Sequence, residues 1–198
     1  MNLQLLLTIP HIIGIVVAVV VIIAIIAVVC WGVAVYNSFV QLGETCEEAI
    51  STIDVSLKKR FDLIPNLVET VKGFAKHESE TLQKVIAARN QGLNASTVGE
   101  KIAADKNLSQ AIKSINIVAE QYPNLKADQN FLDLQNQLKL IEGELANARR
   151  YYNGTVKAYN TKRKMFPTNV IAHRMKLEKY DYFEVDSAEE RQNVKVSF

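Results

Sequence analysis

Apolar residues follow two different patterns along this chain, and the change between them divides it. From Ile12 to Val35 every position is uncharged, and the run is Ile, Val and Ala broken only by Gly14, Cys30, Trp31 and Gly32. A helix rises about 1.5 Å per residue, so the run reaches about 36 Å, enough to cross a ~30 Å hydrocarbon layer with some tilt. Beyond it the apolar positions come in steps of three and four, the period of a helix with one covered face. One stripe runs Ile50, Ile53, Leu57, Phe61, Ile64, Val68, Val71 and Ala75. A shorter one runs Leu108, Ile112, Ile115, Ala119 and Tyr122. The longest runs Phe131, Leu134, Leu138, Ile141, Leu145, Ala148, Tyr152, Val156, Tyr159, Arg163 and Phe166. Leu138, Ile141 and Leu145 are expected to face Leu57, Phe61 and Ile64, in the manner of a coiled coil.

The punctuation between stripes is equally readable. Gly73 to Ser79 and the Asn- and Gly-containing Gly92 to Gly99 are expected breaks, and Tyr122-Pro123-Asn124 ends the middle helix. Asp128 suits the N-cap of the long helix that follows, and Phe166-Pro167 ends it. Pro65 either starts a new helix or kinks a continuous one; the stripe crosses it in phase, which favours continuity. No strand pattern occurs. The expected fold is all-α: one N-terminal transmembrane helix, then an antiparallel bundle of four long helices. The segments are 1–11, a short N-terminal stretch; 12–35, the span; 36–167, the bundle; and 168–198, a polar, irregular tail.

The run is read as an uncleaved anchor. A signal peptide wants a basic start and an apolar core of roughly 7–15 residues; here no Lys or Arg precedes Lys58. Lipidation at Cys30 would want a smaller residue than Val29 beside it, so Cys30 reads as a small apolar residue, with Trp31 and Tyr36 at the headgroup boundary. All positive charge lies C-terminal to the span, which points to an outer N-terminus and a cytoplasmic domain.

Candidate chemistry is sparse. The three histidines, His11, His77 and His173, are far apart in sequence. His77-Glu78 starts like a zinc-protease motif but lacks the second histidine. No Gly-rich phosphate loop, Gly-x-Ser-x-Gly or Cys-x-x-Cys occurs, and the inward Glu-x-x-His pairs of di-iron bundles are missing. The sequence therefore offers no catalytic residue, no metal ligand and no cofactor. Nucleic acid is not expected as a partner, because the net charge is only +2 and the basic residues lack aromatic stacking platforms. The Lys58-Lys59-Arg60 triplet reads as a solvated helix face.

Two stretches depart from generic bundle sequence. Ile53-Asp54-Val55 is followed by Lys58-Lys59-Arg60 and Asp62-Leu63-Ile64-Pro65-Asn66-Leu67-Val68. Later come Tyr122-Pro123, Leu125-Lys126-Ala127, Arg150-Tyr151-Tyr152-Asn153, Tyr159-Asn160 and Phe166-Pro167. In this order they resemble the LemA family over roughly residues 36–172. Cys46 stands where a Trp is frequent in that family, and His173-Arg174-Met175 replaces its usual ending. The resemblance implies a single-span bacterial membrane protein with a helical cytoplasmic domain and no established activity or cofactor. A relative in that family takes part in forming magnetosome membranes.

The functional expectation is a membrane-anchored, non-enzymatic scaffold or assembly protein, self-associating as a homo-oligomer and organising or remodelling the bilayer. The alternative is an accessory subunit of a second membrane protein, a protease or transporter; an uncharacterised hydrolase is more remote. One charge feature points to a contact surface. Between Arg149 and Lys176 stand eight Lys or Arg and no Asp or Glu, more than a helix dipole calls for. In an up-down-up-down bundle the fourth helix returns to the membrane. Lys162, Arg163, Lys164 and Arg174 are therefore the expected contacts with lipid headgroups or an acidic partner.

Overall fold

The computed structural model describes residues 3–183, with side-chain surroundings from residue 13 onward. Helices α1 (Leu3–Phe74), α2 (Ser79–Leu93), α3 (Val98–Gln121), α4 (Pro123–Lys126), α5 (Gln129–Lys164) and α6 (Thr168–Arg174) follow in order, with no strand among the described residues. α1 runs through Pro65 without interruption. The chain forms two compact units: Thr45–Lys157 with the segment from Tyr180, and the chain up to Glu44 with Ala158–Lys179.

In the first of these units the ends are set by capping. Thr97 accepts the Glu100 backbone N–H (3.2 Å), while the Glu100 carboxylate accepts N–H groups of Ser96 (2.8 Å) and Thr97 (3.1 Å). Those donors pull the Glu100 pKa down from 4.5 to about 2. Asp128 accepts the Phe131 N–H at 2.9 Å and starts α5. Pro123 opens the single turn of α4, where its missing N–H costs nothing.

Cross-helix pairs fix the directions. Lys101 meets Asp54 and Asp105 meets Arg60, so α3 runs parallel to α1. Lys59 meets Glu144, and the Cys46 thiol meets Thr155, so α5 runs against α1. Asn107 bonds Gln91 on α2, and Gln135 on α5 bonds Asn116 on α3. The four long helices are thus antiparallel in sequence order, and their stripes form the core: Ile53, Leu57, Phe61, Ile64, Leu108, Ile115, Phe131, Leu138, Leu145 and Tyr152 are all buried.

Four details differ from the sequence reading. Ile141 is only half-buried, at the edge of the stripe. The Phe61 ring lies on Gly92 of α2, where a Cβ would come within 2.2 Å of it. Arg60, read as solvated, is 3% exposed. The stretch after Pro167, read as an irregular tail, begins with helix α6. It hid from the pattern because seven residues are too few to display a period. Further on, Asn153 on α5 holds the Phe183 backbone at both ends, donating to its carbonyl (3.0 Å) and accepting its N–H (2.8 Å). Phe183 itself is buried.

Candidate membrane-facing site

The second unit begins with the apolar run. From Ile13 to Val29 every side chain is exposed, with nothing among the described residues covering it. Burial starts at Val35 and Phe39, whose ring meets Tyr159 of α5 edge-on (centroids 6.0 Å apart, planes at 78°). One apolar helix near the N-terminus, long enough to cross a bilayer, fits a single-pass membrane protein.

The end of α5 and the whole of α6 belong to this same unit. Thr168 donates its hydroxyl back to the carbonyls of Lys162 (2.5 Å) and Met165 (2.9 Å), closing the corner after a cis Phe166-Pro167 bond. α6 buries Ala172 and ends in a turn in which Lys176 N–H bonds His173 O (3.1 Å) and Leu177 N–H bonds Ala172 O (3.1 Å). That is the left-handed C-cap pattern usually built on glycine. Here Lys176 takes the left-handed position, with φ 53°.

The four cations expected at this end take different places. Lys162 turns inward, bonding the Ser38 hydroxyl with its ammonium 5.5 Å from the Phe39 ring. Arg163 is half-buried, and its Nε donates to Leu177 O at 2.7 Å. Lys164 is exposed. Arg174 is exposed and lines a small apolar hollow with Gly32, Val33 and Tyr36 of α1. On another side of α6 lies an open cavity of about 910 Å³, lined by Arg163, Lys164, His173 and Lys176.

Sequence reasoning did not single out Lys176 or His173 as contacts, and nothing in a Lys codon neighbourhood announces a left-handed residue. It also placed Phe166 on the buried stripe. Phe166 is 81% exposed, because the proline after it turns the chain away; Met165 and Val170 are exposed beside it. The Arg163 position in the stripe was the available warning: a cation at a core position marks where the core ends.

A buried charge cluster in the other unit also escaped notice. Asp105, 5% exposed, receives Arg60 Nη1 at 2.6 Å and Arg149 Nη2 on its other oxygen. Arg149 also stacks over the Phe183 ring at 4.9 Å. Two guanidiniums against one carboxylate leave a net positive charge, and both Nε atoms lack a hydrogen-bond partner among the described residues. Nearby chemistry is muted. Burial pushes the Cys46 thiol up, disfavouring the thiolate, and burial with the neighbouring Cys46 pushes the Tyr152 hydroxyl up to about 12. Among the described residues no three His, Cys, Asp or Glu side chains converge as a metal site.

The sequence also matches known proteins. The chain is 26% identical to "Protein LemA" of Metamycoplasma hominis over 154 residues, 77% of this chain and 70% of that one. It is 22% identical to "Magnetosome protein MamQ 2" of Paramagnetospirillum magneticum and 21% identical to "Magnetosome protein MamQ" of Magnetospirillum gryphiswaldense. Each of these two matches covers 75% of this chain and 64% of the relative's length. The LemA family model matches residues 49–198, past the Pro167 boundary read from the sequence and through α6, and the chain belongs to the LemA family.

Proposed function

We propose that this LemA-type membrane-associated protein is a scaffold. In this reading α1 anchors it with the N-terminus outside, and the helical domain works in the cytoplasm by self-association, organising the bilayer around it. The LemA family is not a known family of enzymes. The observation that carries the reading is the fully exposed Ile13–Val29 surface, continuous in one helix with residues that pack into a folded unit. A lipid-facing helix continuous with a folded domain suits lateral assembly better than turnover of a substrate.

The inside orientation is supported by charge. The N-terminal flank has no Lys or Arg. On the other side, Lys162 sits at Ser38 and Arg174 beside Gly32 and Tyr36, within a few residues of the end of the span. Cations folded that close to one end of the span favour the leaflet with anionic headgroups, whereas Lys58 lies too far along the chain to count strongly under the positive-inside rule. The magnetosome relatives fit a role in membrane organisation.

Two measurements test this. Protease added to intact spheroplasts should leave the domain whole, and its digestion would reverse the orientation. Crosslinking in native membranes, followed by mass analysis of the extracted complex, should give multiples of the 22.2 kDa chain. Monomer alone across several crosslinker lengths would exclude self-association, and a stoichiometric second protein would make this an accessory subunit instead.

A further inference from the structure

We propose that the basic cavity between the end of α5 and α6 binds the phosphate headgroup of an anionic phospholipid, making α6 a lipid-reading element. The proposal rests on the reading that α1 spans the bilayer. Three observations carry it.

The first is charge. Arg163, Lys164, His173 and Lys176 converge on one open cavity, and among the described residues no carboxylate pairs with any of them. Asn169 lines the same cavity, and its buried Oδ1 has no hydrogen-bond partner among the described residues.

The second is construction. Arg163 is held by its Nε on Leu177 O, which leaves its terminal nitrogens for a fork-like contact with phosphate oxygens. Lys176 occupies a left-handed position that glycine would fill at no steric cost. A side chain kept in a costly conformation at the rim of a cavity is a signature of function.

The third is location. α6 lies in the same unit as the apolar run, and the hollow lined by Gly32, Val33, Tyr36, Ile171 and Met175 abuts it. That hollow is almost wholly apolar, with Arg174 on its rim. A bilayer surface offers both what the basic cavity and what the apolar hollow on the other side of α6 would take, headgroups and acyl chains; a soluble phosphate matches only the first. Exposed Met165, Phe166 and Val170 at the same corner need an apolar medium as well.

Trp31, the single tryptophan, stands next to Gly32 and reports on nearby lipid. The test places the full chain in phosphatidylcholine nanodiscs containing a small fraction of brominated phosphatidylcholine or brominated phosphatidylglycerol. Brominated phosphatidylglycerol should quench Trp31 more strongly, and each cation removed should lower the relative affinity about fivefold. Lys164→Gln with Lys176→Gln should lower the preference about 25-fold, while Lys113→Gln on α3 should leave it. Lys176→Gly should also weaken the preference, yet melt no lower than the parent, because glycine suits that backbone; this separates lost binding from lost fold. Added inorganic phosphate should not compete; if it does, the site is for soluble phosphate and the proposal is wrong. Equal quenching by the two lipids would overturn it. Quenching by neither would instead overturn the anchor reading.

Discussion

The two units of this protein answer the same problem with different solvents. In the Thr45–Lys157 unit, residues at three-four spacing cover one another, and each deeply buried charge is shared among Arg60, Asp105 and Arg149. In the unit holding the run and α6, Ile13 to Val29 are exposed on every side, and the α5–α6 corner presents Met165, Phe166 and Val170 to the surroundings. A stripe identifies a helix that protein covers; apolar residues on every face identify one that lipid must cover. Basic residues beside the second kind are what the proposed contact with charged headgroups would use.

The sharpest way to break the contrast is at the buried cluster. Asp105→Asn leaves two guanidiniums facing each other in the core, so it should lower stability by about 3–5 kcal/mol, read from urea unfolding of the full chain in micelles. Replacing the three residues together by apolar side chains of similar volume should be neutral or stabilising by about 1–4 kcal/mol. If Asp105→Asn cost less than about 1 kcal/mol, water would be reaching the cluster and the unit would not have the dry core described.

A smaller effect tests packing in the same unit. Gly92→Ala gains helix propensity worth about 1 kcal/mol, but its Cβ would meet the Phe61 ring at 2.2–2.9 Å. Overpacking of this kind costs about 1–3 kcal/mol, so net destabilisation is expected. A more stable variant would mean that the Phe61 ring yields freely.

Smaller again is the α3 cap. Thr97→Ala should cost about 1 kcal/mol. Glu100, held near pKa 2 against 4.5, adds a pH signature. Its folded-state pKa is depressed, so its contribution is complete above about pH 4.5 and is lost as pH falls through about 2. The gap in unfolding midpoint between parent and Glu100→Gln should close across that window. A gap that stayed constant with pH would show that the carboxylate does not cap the helix.

Much of this was legible in the sequence, and the residues that were not share a cause. The anchor, the breaks near Gly73 to Ser79 and Gly92 to Gly99, and Asp128 as a cap follow from apolar length and turn chemistry. Arg60 was misread because it borders the stripe residue Phe61. Yet Leu57, Arg60, Ile64 and Leu67 also keep three-four spacing, and Arg149 lies four after Leu145 and three before Tyr152. Charge type outweighed position in that reading, whereas paired charges can occupy core positions. α6 and Lys176 were illegible for another reason: a seven-residue helix shows no period, and a left-handed lysine depends on what it serves.

The smallest stability effect is expected at Phe166, and it tests the other half of the contrast. A side chain 81% exposed makes few contacts within the protein, so Phe166→Ser should shift the unfolding free energy by no more than about 0.5 kcal/mol. In the core the same kind of change, Leu138→Ala, should cost about 2–5 kcal/mol. The exposed ring nonetheless has a medium. Burying a Phe side chain is worth about 1.5–3 kcal/mol, so at a bilayer surface it should enter the lipid. In a Trp31→Phe background, Phe166→Trp should emit blue-shifted light in nanodiscs and be quenched by lipids brominated high on the acyl chain. Solvent-like emission without quenching would place the α5–α6 corner in water. Only the α1 span would then remain in lipid, and the cations of α6 would have no headgroups to meet.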